Sequence, residues 1–460
     1  MPAAYEGSIP ELAAAAASAR PAAVAVSVDG ESLTHAALDD AAARIAGWLH
    51  QRGLAPGDRV LLAGGSSLGF VRCYLGALRA GAVVVLANPA YTAPELAQLA
   101  ADSGAVLAFT EPGIPSPLPS ADIAAVPDAR PADVTPRAGD IALLAYTSGT
   151  TGKPKGVPLT HRNLTASIGS ALAAWRWSES DLLVHALPLF HQHGLSGVHA
   201  ALIGGGRTHV LSRFAPGILI AALRAARATV LFGVPTMYQA LLDQGVTVPG
   251  LRLAVCGSAS LSPALADRLP EVLGMLPLVR YGTTETGLNI SNLIGAPRAG
   301  TIGVPLPGVE VRLAGDGEIQ LRGPQVFGGY WHDAGTAFTD DGWFRTGDIG
   351  TLDDGQLMVK GRSKEMIITG GLNVYPREVE IALESHPSVL EAAVAGRPHE
   401  RWGEQVTAWV VLRDGHRFDE AALIGHARTL LAPYKCPKQL FRLDELPRNS
   451  LGKIIRADLG

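Results

Sequence analysis

Apolar and polar positions change period several times along the chain. Leu38, Ala42, Ile45 and Leu49 recur at three- and four-residue spacings, which puts them on one face of a helix that Thr34 is placed to cap. GLAPGDRVLLAG follows as a turn running into a short apolar strand, and RCYLGALRAGAVVVLANP continues the pattern. Its VVVLA run has the unbroken apolar character of a strand buried on both faces. GIPSPLPSADIAAVPDARPADVTPRAGD is dense in turn residues, yet short strand signals interrupt it, which argues against a disordered linker.

From Asp140 the alternation becomes more regular. IALLAY reads as a strand, TSGTTGKPKG as a glycine-rich turn and HRNLTASIGSALAAW as a helix; LLVHAL, ATVLFG, LRLAVCG and EIQLRG are further strand-like runs. This order predicts a large α/β region in which some strands need not be parallel. A boundary falls near Gly361–Lys364. Beyond it IITGG, the helical PREVEIALES, and the strand-like VLEAAVAG and VTAWVVL make a smaller α/β unit. The expected organisation is therefore an N-terminal domain over 1–361 and a C-terminal domain over 362–460, with no internal repeat.

Composition narrows the function classes. A chain of 460 residues exceeds one ordinary domain, and its 47% apolar content supplies a large core. The 53 glycines and 32 prolines suit a turn-rich α/β enzyme. A net charge of -4 without a basic stripe argues against nucleic acid as a partner. Cys73, Cys256 and Cys436 are scattered without metal-ligand spacing and read as reduced thiols, which with the lack of a charged leader or a membrane-length apolar run predicts a cytoplasmic protein with no integral membrane association. Oligomeric state is not legible.

The most informative chemistry lies in Thr147-Ser-Gly-Thr-Thr-Gly-Lys-Pro-Lys-Gly156. Gly149, Gly152 and Gly156 permit tight backbone geometry, Thr147, Ser148, Thr150 and Thr151 supply hydroxyl donors, and Lys153 and Lys155 offset phosphate charge. The order differs from GxxxxGK[ST], so simple γ-phosphate transfer is not the natural inference; a loop that retains pyrophosphate during adenylation is. A Ser/Thr/Gly-rich surface turn is the bland alternative for any one of these residues.

With the later motifs added, the chain resembles the adenylate-forming superfamily of acyl-coenzyme A synthetases, peptide-synthetase adenylation domains and luciferases. PLFHQHG (188–194), LFGVPTMY (231–238), RYGTTET (280–286) and the following AGTIGVPLPGVEVRL resemble malonyl-coenzyme A synthetases in particular. The resemblance implies a large adenylation domain with a small mobile C-terminal domain, and ATP, Mg²⁺ and coenzyme A as the reacting set. It implies that Gly257, Ser258, Ala259 and Ser260, with Tyr281, Gly282, Thr283, Thr284 and Glu285, line the adenine and phosphate site. Thr284 would contact phosphate, Glu285 would hold Mg²⁺, and Asp348 would bind the ribose hydroxyls with help from Arg362. These roles suit the chemistry: a carboxylate accepts two hydroxyl hydrogen bonds, a glutamate is a hard oxygen ligand, and a guanidinium is a rigid permanent cation.

Lys453 in PRNSLGKIIR matches the adenylation lysine, whose ammonium would steady the carboxylate–α-phosphate transition state. The resemblance places a hinge at Lys364 and brings ITGGLN (368–373) to the thiol site after rotation, where Gly370 and Gly371 would admit a pantetheine arm. His191 would sit beside the acyl pocket and thiol route, as an orienting or simply packed residue; His193 and His199 nearby do not have the spacing of a structural zinc site.

For the acid, Arg280 matches an arginine that malonyl-coenzyme A synthetases set near the distal carboxylate, with a structural ion pair as its alternative role. The second arginine of those relatives, two residues after Tyr238, is replaced here: Gln239 and then Ala240 follow. Tyr238, Gly282, Gly287, Leu288 and Asn289 are the expected pocket-lining residues, the small Gly287 leaving acyl space. The expected substrate is a small carboxylic acid, malonate or a substituted short acid. A bulkier monocarboxylic or biosynthetic acid is the alternative, as is loading of an acyl carrier protein's phosphopantetheine. A luciferase-like oxygenase and a non-catalytic adenylate binder are weaker classes, the second because Glu285 and Lys453 are both retained.

Overall fold

The computed structural model describes residues 5–127, 129–132, 136–147, 155–333, 337–449 and 452–459. A nine-stranded sheet crosses the large unit in the order Val304–Pro305, Ile290–Ser291, Leu278–Tyr281, Leu253–Cys256, Val230–Gly233, Leu182–His185, Arg207–Val210, Val24–Val28 and Glu31–Thr34. Its interior pairings are parallel and its margins antiparallel. LLVH, VLFG and LAVC are buried at every position, the signature of parallel strands covered on both faces.

A second sheet of six strands carries VVVLA, Val83–Ala87, also buried throughout, next to Ile141–Thr147. Lys155–Thr160 returns antiparallel on that strand with Thr147 opposite Lys155. The helix His35–Gln51 buries Leu38, Ala42, Ile45 and Leu49, and the Thr34 hydroxyl accepts from the Ala37 amide at 3.2 Å. EIQLRG lies in a third, wholly antiparallel sheet made by Glu310–Leu313, Glu318–Arg322, Phe344–Asp353 and Gln356–Arg362.

The chain passes to a second core between Arg362, paired with Asp348 in the antiparallel sheet, and Ile367, which opens the C-terminal sheet. That sheet joins Leu372–Val374, Ile367–Thr369, Gly403–Leu412 and Val389–His399, with Gln439–Arg442 added in parallel. Helices Pro376–Glu384 and Glu420–Leu430 contribute Val379, Leu383, Leu423 and Ala427 to its own apolar cluster. Among the described residues no helix is long and apolar enough to cross a membrane.

The large core is sensitive where aromatic rings interlock. Phe232 is 1% exposed and meets Trp175 edge-on, ring centroids 5.7 Å apart. Phe232→Ala should destabilise the protein by about 3–5 kcal/mol in denaturant unfolding, since the cavity cannot collapse against a packed sheet.

Candidate active site

Three parallel strands, Val230–Gly233, Leu253–Cys256 and Leu278–Tyr281, end at one cleft, the position at which open α/β sheets bind ligands. The cleft encloses about 930 Å³ and is lined from both units: Tyr281 and Asp348 on one side, Lys453 on the other. Of the residues expected at the site, Thr147, Lys155, His191, Ser258, Ala259, Ser260, Arg280, Tyr281, Gly282, Thr283, Thr284, Glu285, Gly287, Leu288, Asp348, Arg362, Lys364 and Lys453 line it. Ser148, Gly149, Thr150, Thr151, Gly152 and Lys153 lie outside the described residues.

At one end stands Asp348, 4% exposed. Its Oδ2 accepts from the Tyr281 hydroxyl at 2.6 Å, and its Oδ1 lies 3.0 Å from the Arg362 Nε. Burial, and then the adjacent Asp348 charge, hold the Tyr281 phenol far above its usual range, so it stays a donor. The loop after Tyr281 doubles back tightly: a side chain on Gly282 would place its Cβ 1.6 Å from the Gly287 carbonyl oxygen. The Glu285 Oε1 accepts from the Tyr330 hydroxyl at 3.0 Å, and the Lys155 ammonium lies 4.9 Å from the centre of the Tyr330 ring. Tyr330 carried no motif and was not anticipated from the sequence.

The other end is built around Arg280. Gly257 makes room for it, since a Cβ there would stand 2.3 Å from the Arg280 Nε; Gly257 itself does not line the cavity. That Nε has no hydrogen-bond partner, and among the described residues no carboxylate pairs with the guanidinium. Burial lowers its pKa to about 10, which leaves it cationic at neutral pH. Around it the His193 Nδ1 meets the Ser258 Oγ at 3.0 Å, while the His193 Nε2 and the Gln192 Nε2 lack partners. Burial, and then Arg280, push His193 down, so the ring is neutral. Burial pushes His191 down to about 4. His199 is engaged elsewhere, its Nε2 2.9 Å from the Tyr74 hydroxyl.

Three expected pocket residues serve differently. Tyr238 is wholly buried and does not line the cavity: its hydroxyl donates to the Val255 carbonyl at 2.9 Å, and Thr236 and Gln239 of the same helix face the cleft instead. Asn289, also wholly buried, works from behind the loop, donating to the Thr286 Oγ1 at 2.6 Å and accepting from the Gln325 Nε2 at 3.0 Å. Gly287 does line the cleft, but its φ of +60° and the Ser167 Oγ, 2.3 Å from where a Cβ would sit, give it a backbone reason to be glycine.

Lys453 enters the cleft on a tight turn in which its amide donates to the Asn449 Oδ1 at 2.9 Å and its carbonyl accepts from the Asn449 amide at 2.9 Å. Burial and then the Arg362 charge depress its pKa. Gly370 and Gly371, both at positive φ, sit on the hairpin between Ile367–Thr369 and Leu372–Val374, outside the cleft. This arrangement therefore presents Lys453, and not the glycine hairpin, to the site.

Two packed units meeting over such a cleft define the adenylate-forming enzyme fold. Residues 13–331 match the AMP-binding enzyme family and residues 378–453 the AMP-binding enzyme C-terminal domain. The chain belongs to this family, and it is an ATP-dependent acyl-coenzyme A synthetase that works through an adenylate with ATP, Mg²⁺ and coenzyme A. It is 38% identical to a feruloyl-CoA synthase of Amycolatopsis sp over 95% of this chain and 96% of that one. A mitochondrial malonate–CoA ligase of Mus musculus is 37% identical over 69% of this chain and 64% of its own length. The o-succinylbenzoate CoA synthetase of Bacillus subtilis, in complex with its acyl-adenylate intermediate, superposes with a TM-score of 0.90 at 30% identity, covering 98% of each chain.

Gly282→Ala tests the loop. With a backbone oxygen in the way, the variant should lose at least about 100-fold in kcat/KM for ATP, a loss of the size a 1 Å misplacement produces, with the fold retained by circular dichroism.

Proposed function

We propose that this enzyme ligates a small acid carrying a second anionic group, such as malonate or a substituted short dicarboxylate, to the thiol of coenzyme A. The observation that carries this is Arg280, a cation held in the cleft with, among the described residues, no carboxylate beside it. A partly desolvated cation gains most from an anion that comes with the substrate, so a substrate carboxylate is its natural partner. Gln192 and His193 add unpartnered nitrogens at the same end. Ala240 stands where malonyl-coenzyme A synthetases carry a second arginine, which suits a substituted acid better than a rigid two-arginine clamp would.

At the nucleotide end, Asp348 keeps lone pairs for the ribose hydroxyls beyond those that Tyr281 and Arg362 occupy. Glu285 is a single hard oxygen ligand. No group of three His, Cys, Asp or Glu side chains among the described residues is placed to hold a metal alone. That fits an ion such as Mg²⁺, which keeps few protein ligands and shares its shell with substrate phosphates, neutralising their charge when bound. Lys153, Lys155 and the phosphate-loop hydroxyls hold the phosphates, and Thr284 contacts one of them.

In the first half-reaction an oxygen of the substrate carboxylate attacks the α-phosphorus and pyrophosphate leaves, while Lys453 stabilises the charge gathering between them. In the second, a rotation at Lys364 withdraws Lys453 and brings Gly370 and Gly371 to the cleft. The thiol attacks the acyl carbonyl, its proton passes to solvent, and the acyl–oxygen bond breaks to release AMP. His191, neutral and weakly basic, orients the acid rather than taking the thiol proton.

The test is thioester formation, detected by mass, with ATP, Mg²⁺ and coenzyme A across malonate, methylmalonate, oxalate, 2-succinylbenzoate and ferulate. A dicarboxylate product should dominate; dominance of feruloyl thioester would overturn the assignment. Turnover of a carrier-protein phosphopantetheine without free coenzyme A would overturn the acceptor. Lys453→Ala should lower acid-dependent ATP–pyrophosphate exchange by at least about 100-fold and leave transfer from supplied acyl-AMP within about threefold. Equal loss of both half-reactions would remove Lys453 from its role.

A further inference from the structure

Two ion pairs stand three residues apart on either side of the hinge. On the near side, Arg362 is tied to the large unit through the Asp348 Oδ1 at 3.0 Å and through strand pairing with the same residue. On the far side, the Glu365 Oε2 lies 3.3 Å from the Arg456 Nη1. The same guanidinium reaches inward: its Nη2 is 2.5 Å from the Glu380 Oε1, and its Nε donates to the Val394 carbonyl at 3.0 Å. Glu380 is only 2% exposed and is held further by the Val394 amide at 3.1 Å and by Arg377. Only Ser363 and Lys364 lie between the two anchors.

We propose that Arg456 is a positioning residue for adenylation, clamping Glu365 to the buried Glu380 so that the far side of the hinge and the Lys453 turn move as one body. This rests on the reading of Lys364 as the pivot and Lys453 as the adenylation lysine. Arg456 follows Lys453 by three residues, and the turn that carries Lys453 closes through the pairing of Arg448 with Ile454. In it Gly452, with φ of +74°, leaves no side chain against Thr236 of the helix that lines the cleft; a Cβ there would stand 3.2 Å from the Thr236 Oγ1. The turn thus abuts the large unit in front and is braced by Arg456 behind. A slack brace lets the ammonium wander, and a displacement near 1 Å costs on the order of 100-fold in rate. The glycine hairpin is anchored separately: its strand Ile367–Thr369 pairs with Gly403–Leu412, where Thr369 stands opposite Gly403. Thiol transfer does not depend on the clamp.

The experiment uses the full chain with Arg456→Gln, Arg456→Lys and Glu365→Gln. The acid is whichever of malonate, oxalate, 2-succinylbenzoate and ferulate the unaltered enzyme converts fastest. Arg456→Gln should lower kcat for ATP–pyrophosphate exchange by roughly 30- to 100-fold, with KM for ATP and transfer from supplied acyl-AMP each within about threefold. Arg456→Lys should restore most of the exchange, and Glu365→Gln should show a smaller loss in the same direction. Without any acid, amide hydrogen exchange in Arg456→Gln should accelerate at Glu365, Met366 and Lys453 while the helix Pro376–Glu384 stays protected. Unchanged ATP–pyrophosphate exchange, equal loss of both half-reactions, or unchanged amide exchange at those positions would overturn the proposal. If Lys453→Ala left ATP–pyrophosphate exchange intact, the underlying assignment of Lys453 would fail instead.

Discussion

A guanidinium that faces the cleft with no carboxylate beside it among the described residues is the constraint on which the proposed acid end depends. Arg280 sits at the end of a parallel strand, and its surroundings are arranged to tolerate it. Gly257 gives up a side chain to make space, His193 is held neutral, and the nearby Cys256 thiol is pushed up to about 12 by burial and so supplies no counter-charge. A protein that wanted only a stable core would pair or remove such a cation. With no carboxylate partner among the described residues, an anionic ligand is its natural partner.

The nucleotide end is built the opposite way. Asp348 is already partnered by Tyr281 and Arg362, and those partners link two parts of the molecule: the nine-stranded sheet, through Tyr281, and the antiparallel sheet, whose last strand ends at Arg362. This carboxylate therefore does structural work before any ligand arrives. Under the proposed assignment of the two ends, the contrast separates a nucleotide site from an acid site. The satisfied end fixes geometry, whereas the unsatisfied end sets which ligand is worth binding.

Much of this was legible in the chain, for identifiable reasons. VVVLA and the Thr34-capped helix follow from period alone, because burial on both faces or on one stripe leaves a direct trace in the residue pattern. Asp348, Arg362, Glu285 and Lys453 sit in motifs dense enough to be placed by resemblance, and the structure gathers all four in one cleft. Tyr238 and Asn289 were misplaced because a motif identifies a neighbourhood but not the direction of a side chain; both turn inward to satisfy buried backbone or loop groups. Gly287 was read as open acyl space, whereas its positive φ shows a backbone demand that sequence cannot distinguish from a steric one. Tyr330 had no signal at all, being a single polar residue outside every motif, and Gln192, though inside PLFHQHG, was not singled out beside its two histidine neighbours.

The most direct test of the account compares malonate with its methyl half-ester, in the unaltered enzyme and in Arg280→Met. The two acids differ mainly in the distal charge. The unaltered enzyme should prefer malonate, and Arg280→Met should lower kcat/KM for malonate by at least about 100-fold while the half-ester changes by less than about threefold. Equal loss for both acids, or a preference of the unaltered enzyme for the half-ester, would contradict it and return Arg280 to a purely structural role.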